Sequence, residues 1–268
     1  MPSTAAQRTA PAAAAANAGN PHLALRYGPW AVVTGASDGI GQAFARHLAA
    51  SGLHLVLVAR REPRLQQLAD ELQQAHGVQC CAIAADLSDL AAVEQLVQAT
   101  AALDVGLLVA AAGFGTSGPL LENDLRTETG MADLNCTSVL SQAWHFGQRF
   151  ARRGRGGVVF MSSLLAFHGT PRAAHYAATK AYVQTLAEGL RVEWAPLGVD
   201  VIASAPGPIR SGFAAGLAVQ AAGLVAGHVA TLGPGAGDRP GDEGHDGAPA
   251  AAPHRGAAGL SWRLGRLC

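Results

Sequence analysis

Between Trp30 and Ala205, short apolar and β-branched runs alternate with longer stretches whose apolar positions recur every three or four residues. The short runs are "WAVVT", "HLVLVA", "VQCCAIAA", "VGLLVAAA", "GVVFMSS" and "DVIASA". Apolar at successive positions, they predict strands buried on both faces, as in a parallel sheet covered by helices. The longer stretches predict helices near 41–50, 63–75, 90–101, 125–152 and 173–194. Such alternation implies right-handed crossovers and one α/β domain, a doubly wound parallel sheet of the Rossmann type.

The flanks lack this pattern. The opening "MPSTAAQRTAPAAAAANAGNPH" is rich in alanine with proline, asparagine and glycine. Residues 1–27 read as a disordered leader, with too little apolar surface to offset the entropy of ordering. No leucine-rich run suggests a secretory signal. The domain is expected over 28–213. Residues 214–268 read as a divergent, partly disordered tail, dominated from about Leu232 by Gly, Ala, Pro, Arg, Asp and His. That composition is what a GC-rich coding region gives when read in a shifted frame.

Composition narrows the function. The 268 residues are 49% hydrophobic, enough for a full core, and carry formal net charge zero. Zero charge without basic clusters argues against nucleic acid as the main partner. No segment has the roughly 20 apolar residues of a membrane span. Four cysteines, with Cys80 and Cys81 adjacent, match neither a disulfide framework nor a zinc site. They read as small core residues of a cytoplasmic protein. No His, Cys or carboxylate cluster has metal-ligand spacing, so no metal is expected.

The chemistry sits at the ends of the predicted strands. The first runs into "TGASDGIG", residues 34–41. Gly35, Gly39 and Gly41 there allow a tight turn and close approach of the backbone to a pyrophosphate at a helix N-terminus. The second strand ends in Arg60 and Arg61, where a fold preferring NAD often carries an acid for the ribose hydroxyls. Guanidinium forks suit a 2′-phosphate, which favours NADP(H) over NAD(H); a solvated basic helix start is the plainer reading. Asp86, after the third strand, suits either the adenine amino group or a helix cap. Tyr176 and Lys180, in "HYAATKAYV", lie four residues apart and so share one helix face.

Taken together, these pieces resemble the short-chain dehydrogenase/reductase family over about residues 28–213. The matching segments are "TGASDGIG", "DL" (86–87), Asn135 in "DLNCTS", "MSS" (161–163), "YAATK" (176–180) and "PGPIRSG" (206–212). The resemblance implies an NADP(H)-dependent oxidoreductase acting on a carbonyl or secondary alcohol. Tyr176 is its implied general acid/base. Lys180 assists it and binds the nicotinamide ribose, Ser163 polarises the carbonyl, and Asn135 helps hold a water chain to the lysine. Cofactor contacts are implied for Gly35, Ser37, Gly39, Ile40, Gly41, Arg60, Arg61, Asp86, Leu87, Ala112, Gly113, Tyr176, Lys180, Pro206, Gly207, Ile209 and Ser211. Homo-oligomers are common in the family. A positive charge beside a phenol favours the phenolate, so Lys180 is expected to lower the titration of Tyr176.

Two departures stand out. The family usually ends its fourth strand in Asn-Asn-Ala-Gly; here Ala110-Ala111-Ala112-Gly113 stands there. After "PGPIRSGF", where the family continues with a substrate-covering helical segment and usually a last strand, the sequence reads differently. A nucleotide-binding protein with little turnover is therefore the alternative to an efficient enzyme. His168 and His175 read as loop or packing residues rather than a second acid/base. The apolar "GFGTSGPLL" after the fourth strand suits a hydrophobic substrate of fatty-acyl, steroid-like or xenobiotic type.

Overall fold

The structure is a computed structural model and describes residues 19–207. Its helices are α1 (Pro21–Tyr27), α2 (Gly39–Ala50), α3 (Glu62–His76), α4 (Leu90–Ala99), α5 (Leu125–Ala132), α6 (Ser138–Arg153) and α7 (Ala174–Trp194). The strands are β1 (Trp30–Thr34), β2 (His54–Ala59), β3 (Cys80–Ala84), β4 (Val105–Ala110), β5 (Gly156–Met161) and β6 (Val199–Ser204). All pairings are parallel, in the order β3-β2-β1-β4-β5-β6. The expected doubly wound sheet is therefore present. Its strand order reverses between β1 and β4, the switch point where open α/β sheets place ligands at the strands' carboxyl ends.

The central strands are buried along their whole length, at every residue of β1, β4 and β5. Two apolar clusters cover the sheet. One gathers Phe44, Leu48, Leu65 and Leu72 from α2 and α3 around Leu55 and Leu57. The other gathers Val93, Leu96, Phe146, Phe150 and Val183 from α4, α6 and α7 around Leu108 and Val158. Each such side chain contributes on the order of 1.5–3 kcal/mol by leaving water.

Two expectations are corrected. Disorder does not extend through residue 27, because residues 21–27 form α1. Asn20 caps that helix by accepting from the His22 amide at 3.1 Å, and a proline stands in its first turn. Leu23 and Tyr27, four apart, bury one face completely. The Tyr27 hydroxyl donates to Asp200 Oδ2 on β6 at 2.6 Å, and Arg26 Nε donates to the same oxygen at 2.7 Å. Burial, reinforced by that hydrogen bond, pushes the phenol's titration well up. Tyr27→Phe is expected to cost about 1–2 kcal/mol. Urea unfolding should show a lower midpoint with unchanged slope; an unchanged midpoint would mean that α1 is not fastened there.

The single helix expected over 125–152 is interrupted. A π-helical turn spans Asp133–Thr137 between α5 and α6. Such one-turn widenings concentrate at functional sites, and Asn135 is its middle residue. The leader before residue 19 and the tail, with Ile209 and Ser211, lie outside the described residues.

Candidate active site

The site is built on the carboxyl ends of β1, β4 and β5. After Thr34 the chain turns at Gly35, whose φ is +67°, and a Cβ there would lie 2.7 Å from Ala111 O. The Ala36 amide ties the turn to Val58 O of β2 at 3.2 Å. Asp38 caps α2 by accepting from the Gly39 amide at 2.8 Å. A Cβ on Gly41 would press into Gly35 O at 2.4 Å, so the first turn of α2 closes directly on the loop. Ile40 packs against the first apolar cluster and Ser37 is buried.

Ser37 faces β2's end, where Arg61 Nη2 donates to its hydroxyl at 3.1 Å. Arg61 also lies 3.4 Å from Asp38 Oδ2, and Arg64 reaches the same oxygen at 3.7 Å. Two guanidinium groups thus stand over the helix-start turn, with Arg60 exposed beside them. Arg64 was not anticipated; its place three residues after Arg61, on the first turn of α3, was the available signal. At β3's end Asp86 Oδ1 accepts from the Ser88 amide at 3.1 Å and the Ser88 hydroxyl at 2.8 Å, shaping its own turn. Asp89, not Asp86, caps α4. Leu87 is buried in the second cluster.

Thr34 joins β1 to β4 across the switch point. Its buried hydroxyl accepts from the Ala111 and Ala112 amides at 3.1 and 3.2 Å. The backbone of the Ala110–Ala112 segment is thereby held without the family's asparagine. Gly113 follows, and a Cβ on it would lie 2.9 Å from Asn135 Oδ1 and 3.5 Å from Lys180 Nζ. Only glycine lets β4's end approach both side chains so closely.

Asn135, Ser163, Tyr176 and Lys180 lie together beyond that end. The Asn135 amide is fully engaged. Its Nδ2 donates to Phe114 O at 2.9 Å and Thr179 Oγ1 at 3.1 Å, and its Oδ1 accepts from the Phe114 amide at 3.1 Å. Thr179 passes the link on, donating to Tyr176 O at 2.8 Å. A threonine on the buried face of a helix, directly before the lysine, was the missed signal for this brace. Lys180 is buried and donates to Met161 O at 2.8 Å, with its Nζ 5.7 Å from the Tyr176 ring centroid. Ser163 is buried at the end of β5, where its hydroxyl accepts from the Leu165 amide at 3.2 Å and hydrogen-bonds Tyr176. Pro206 and Gly207 close the far side: Pro206 O accepts from the Leu164 amide at 3.2 Å.

Electrostatics here differ from expectation. Burial pushes the Tyr176 phenol up, and its hydrogen bond with Ser163 only partly offsets this. Burial, and not the nearby Lys180, sets the direction. Burial also pushes Lys180 down to about 8. Between about 8 and the ordinary lysine value of 10.5, the unfolded chain binds more protons than the folded one, so stability rises with pH across that window. Below it the buried cation imposes its full cost. Lys180→Met is therefore expected to raise stability near neutrality by about 1–3 kcal/mol. The gain should shrink as pH passes the upper limit of the window; thermal melts at neutral and alkaline pH test this, and no gain at neutrality would contradict it.

The residues fit a dinucleotide. The close glycine turn, the start of α2 directly behind it and the crevice between β1 and β4 have the form that a pyrophosphate requires. Among the described residues no group of three His, Cys, Asp or Glu side chains could hold a metal, and no helix is long and apolar enough to cross a membrane.

The family model for short chain dehydrogenases matches residues 29–221. The chain belongs to the short-chain dehydrogenase family. It is 32% identical over 180 residues to the 7beta-hydroxysteroid dehydrogenase of Collinsella aerofaciens, spanning 67% of this chain and 68% of that one. It is 37% identical over 179 residues to the very-long-chain 3-oxoacyl-CoA reductase of Podospora anserina, spanning 65% and 53%. Two solved structures are similar. The short-chain dehydrogenase from Sphingobium yanoikuyae in complex with NADPH has a TM-score of 0.72 at 30% identity, over 75% of this chain and 83% of that one. The bulky-bulky ketone specific alcohol dehydrogenase from Comamonas testosteroni has a TM-score of 0.71 at 31% identity, over 75% and 81%. As a short-chain dehydrogenase, the chain is an oxidoreductase acting on CH–OH groups with a nicotinamide cofactor.

Proposed function

We propose that this short-chain dehydrogenase uses NADPH to reduce a bulky, apolar ketone, and runs the reverse reaction on the corresponding secondary alcohol. The observation that carries the reading is the meeting of Ser163, Tyr176, Lys180 and Asn135 at the ends of β4 and β5, on the site's side of the glycine turn.

NADPH, when bound, supplies the hydride. The chain's own residues do the rest. The Ser163 and Tyr176 hydroxyls, already hydrogen-bonded to each other, are set to receive a carbonyl oxygen between them. Tyr176, kept protonated near neutrality by burial, gives its proton to that oxygen, acting as general acid. Lys180, charged below about 8, stabilises the phenolate left behind. Asn135 holds the Phe114 backbone and Thr179, and through them the spacing between β4's end and the first turns of α7. Arg61, supported by Ser37, is the main group for a 2′-phosphate.

Substrate class is supported by the rim. Leu120, Leu121 and Leu125 after β4, with Leu164 and Phe167 after β5, are exposed apolar side chains, Leu121 almost wholly so at 99%. Exposed apolar side chains on both loops that follow these strands suit a bulky, apolar substrate. The named activities of the relatives, on hydroxysteroids, 3-oxoacyl-CoA and bulky ketones, agree with it.

The test is NADPH consumption by the full chain across a panel of steroid ketones, 3-oxoacyl thioesters and bulky aryl ketones, with small aldehydes as the contrast. Turnover is expected on the bulky members. NADPH binding without turnover on any member would leave a nucleotide-binding protein instead. The divergent tail is proposed to follow the domain from about residue 214; intact-mass analysis of the native protein checks that sequence.

A further inference from the structure

We propose that His175 is a positioning residue for Tyr176, the fixed point of a closed clamp that runs through Glu128, Asn123, Gly118 and Arg172. The proposal rests on the catalytic reading above and adds what holds its general acid in place.

Helix α7 delivers Tyr176 on its first turn, yet that turn is poorly anchored by its own sequence. Its N-cap is Ala173, which makes no side-chain capping bond. Just before it stands Arg172 with φ of 65°, the one non-glycine residue with positive φ among those described. Such a conformation costs free energy and persists only where surrounding contacts impose it. Contacts from elsewhere in the chain must therefore fix the start of α7.

Those contacts close into a ring. His175 Nε2 lies 3.1 Å from Glu128 O of α5. A carbonyl only accepts, so Nε2 carries the proton in this bond. Glu128 is 5% exposed, and its Oε1 accepts from Asn123 Nδ2 at 2.8 Å. Asn123 Oδ1 lies on the side of Gly118 where an added Cβ would come within 3.2 Å of it, and the short loop between them joins the two residues. The Gly118 amide donates to Arg172 O at 2.8 Å, which returns the ring to the residue before the N-cap of α7. Glu128 Oε2 is buried with no hydrogen bond among the described residues. A fold tolerates such a cost where the group fixes something else.

The ring joins the loop after β4 to the loop after β5, the two segments that carry the apolar rim and flank Ser163 and Tyr176. Neither loop then moves independently, and the phenol meets a rim already in place. Displacement of a catalytic group by about 1 Å can cost on the order of 100-fold in rate.

The variants are His175→Phe, which fills the space and removes the donor, His175→Gln, which restores an N–H, and Asn123→Ala, which opens the ring on its outer side. Hydrogen–deuterium exchange is read over 111–124 and 164–177, NADPH affinity by energy transfer from tryptophan, and kcat and KM on the best-reduced ketone of the panel. His175→Phe and Asn123→Ala are expected to raise exchange in both segments together and to lower kcat about 10- to 100-fold. NADPH affinity should stay within about threefold and His175→Gln should regain most of the rate, on the order of the small changes that preserved geometry allows. A folded, NADPH-binding His175→Phe protein with wild-type exchange in 164–177 overturns the clamp, as does unchanged kcat. Wild-type protein that binds NADPH but reduces nothing sinks the catalytic reading alone, since exchange still decides the clamp.

Discussion

Replacing Tyr176 by phenylalanine is expected to lower kcat for ketone reduction by about 10³-fold, within the range that a lost general acid usually costs. NADPH affinity should change little. The expectation follows from position: the hydroxyl is the atom that Ser163 hydrogen-bonds and that stands on the helix face of Lys180. The ring itself packs as before in the variant, so the fold should melt at nearly the wild-type temperature. Steady-state rates with saturating NADPH, beside a thermal melt, separate lost chemistry from lost structure. A folded variant with near-normal turnover would remove Tyr176 from its role. Ser163 would then be the next group to test.

Substitution of Arg61 by alanine is expected to weaken NADPH binding about 10- to 100-fold, since hydrogen bonds to charged groups contribute roughly 1.5–3 kcal/mol. NADH binding should move by no more than about threefold, because its ribose carries no 2′-phosphate for a guanidinium to neutralise. The same substitution made at Arg60, exposed beside it, should have the smaller effect. Arg61 is already oriented by Ser37, so less ordering remains to be done when a phosphate arrives. Equal losses for both cofactors would mean that Arg61 shapes the turn and does not read the phosphate. Salt should weaken NADPH binding, because it screens the attraction between the exposed guanidinium groups and a 2′-phosphate.

Much of this was legible in the sequence because the signals are local. Runs such as "HLVLVA" and "VGLLVAAA" are apolar at every step, and only a strand covered on both faces needs that. The turn "TGASDGIG" carries glycine where φ must be positive or where a backbone approaches within a Cβ's reach, as at Gly35 and Gly41. Tyr176 and Lys180 meet because helical spacing obliges them to. Contacts that cross the fold were not legible. Helix α1 sits in an alanine-rich context, and its anchor, Asp200, is 173 residues from Tyr27. The π turn at Asp133–Thr137 runs straight into the helices on either side, with no glycine or proline within it to mark it, so the sequence read as one helix. Spacing likewise puts an ammonium near a phenol but says nothing about how dry the site is. Burial decided both titrations against the simple pairwise expectation. The ties from His175 and Asn123 to Glu128 join residues whose types alone suggest only a loop and a surface helix.

The most direct measurement is a titration of the purified full chain with NADPH and with NADH, following energy transfer from its tryptophans to the reduced nicotinamide. Saturable transfer with NADPH at low concentration, and much weaker transfer with NADH, is the expected result. It would support the glycine turn, the β1–β4 crevice and the Arg61 site together. Absence of transfer with either cofactor would contradict the proposed enzyme at its base, whatever the geometry of Ser163, Tyr176 and Lys180.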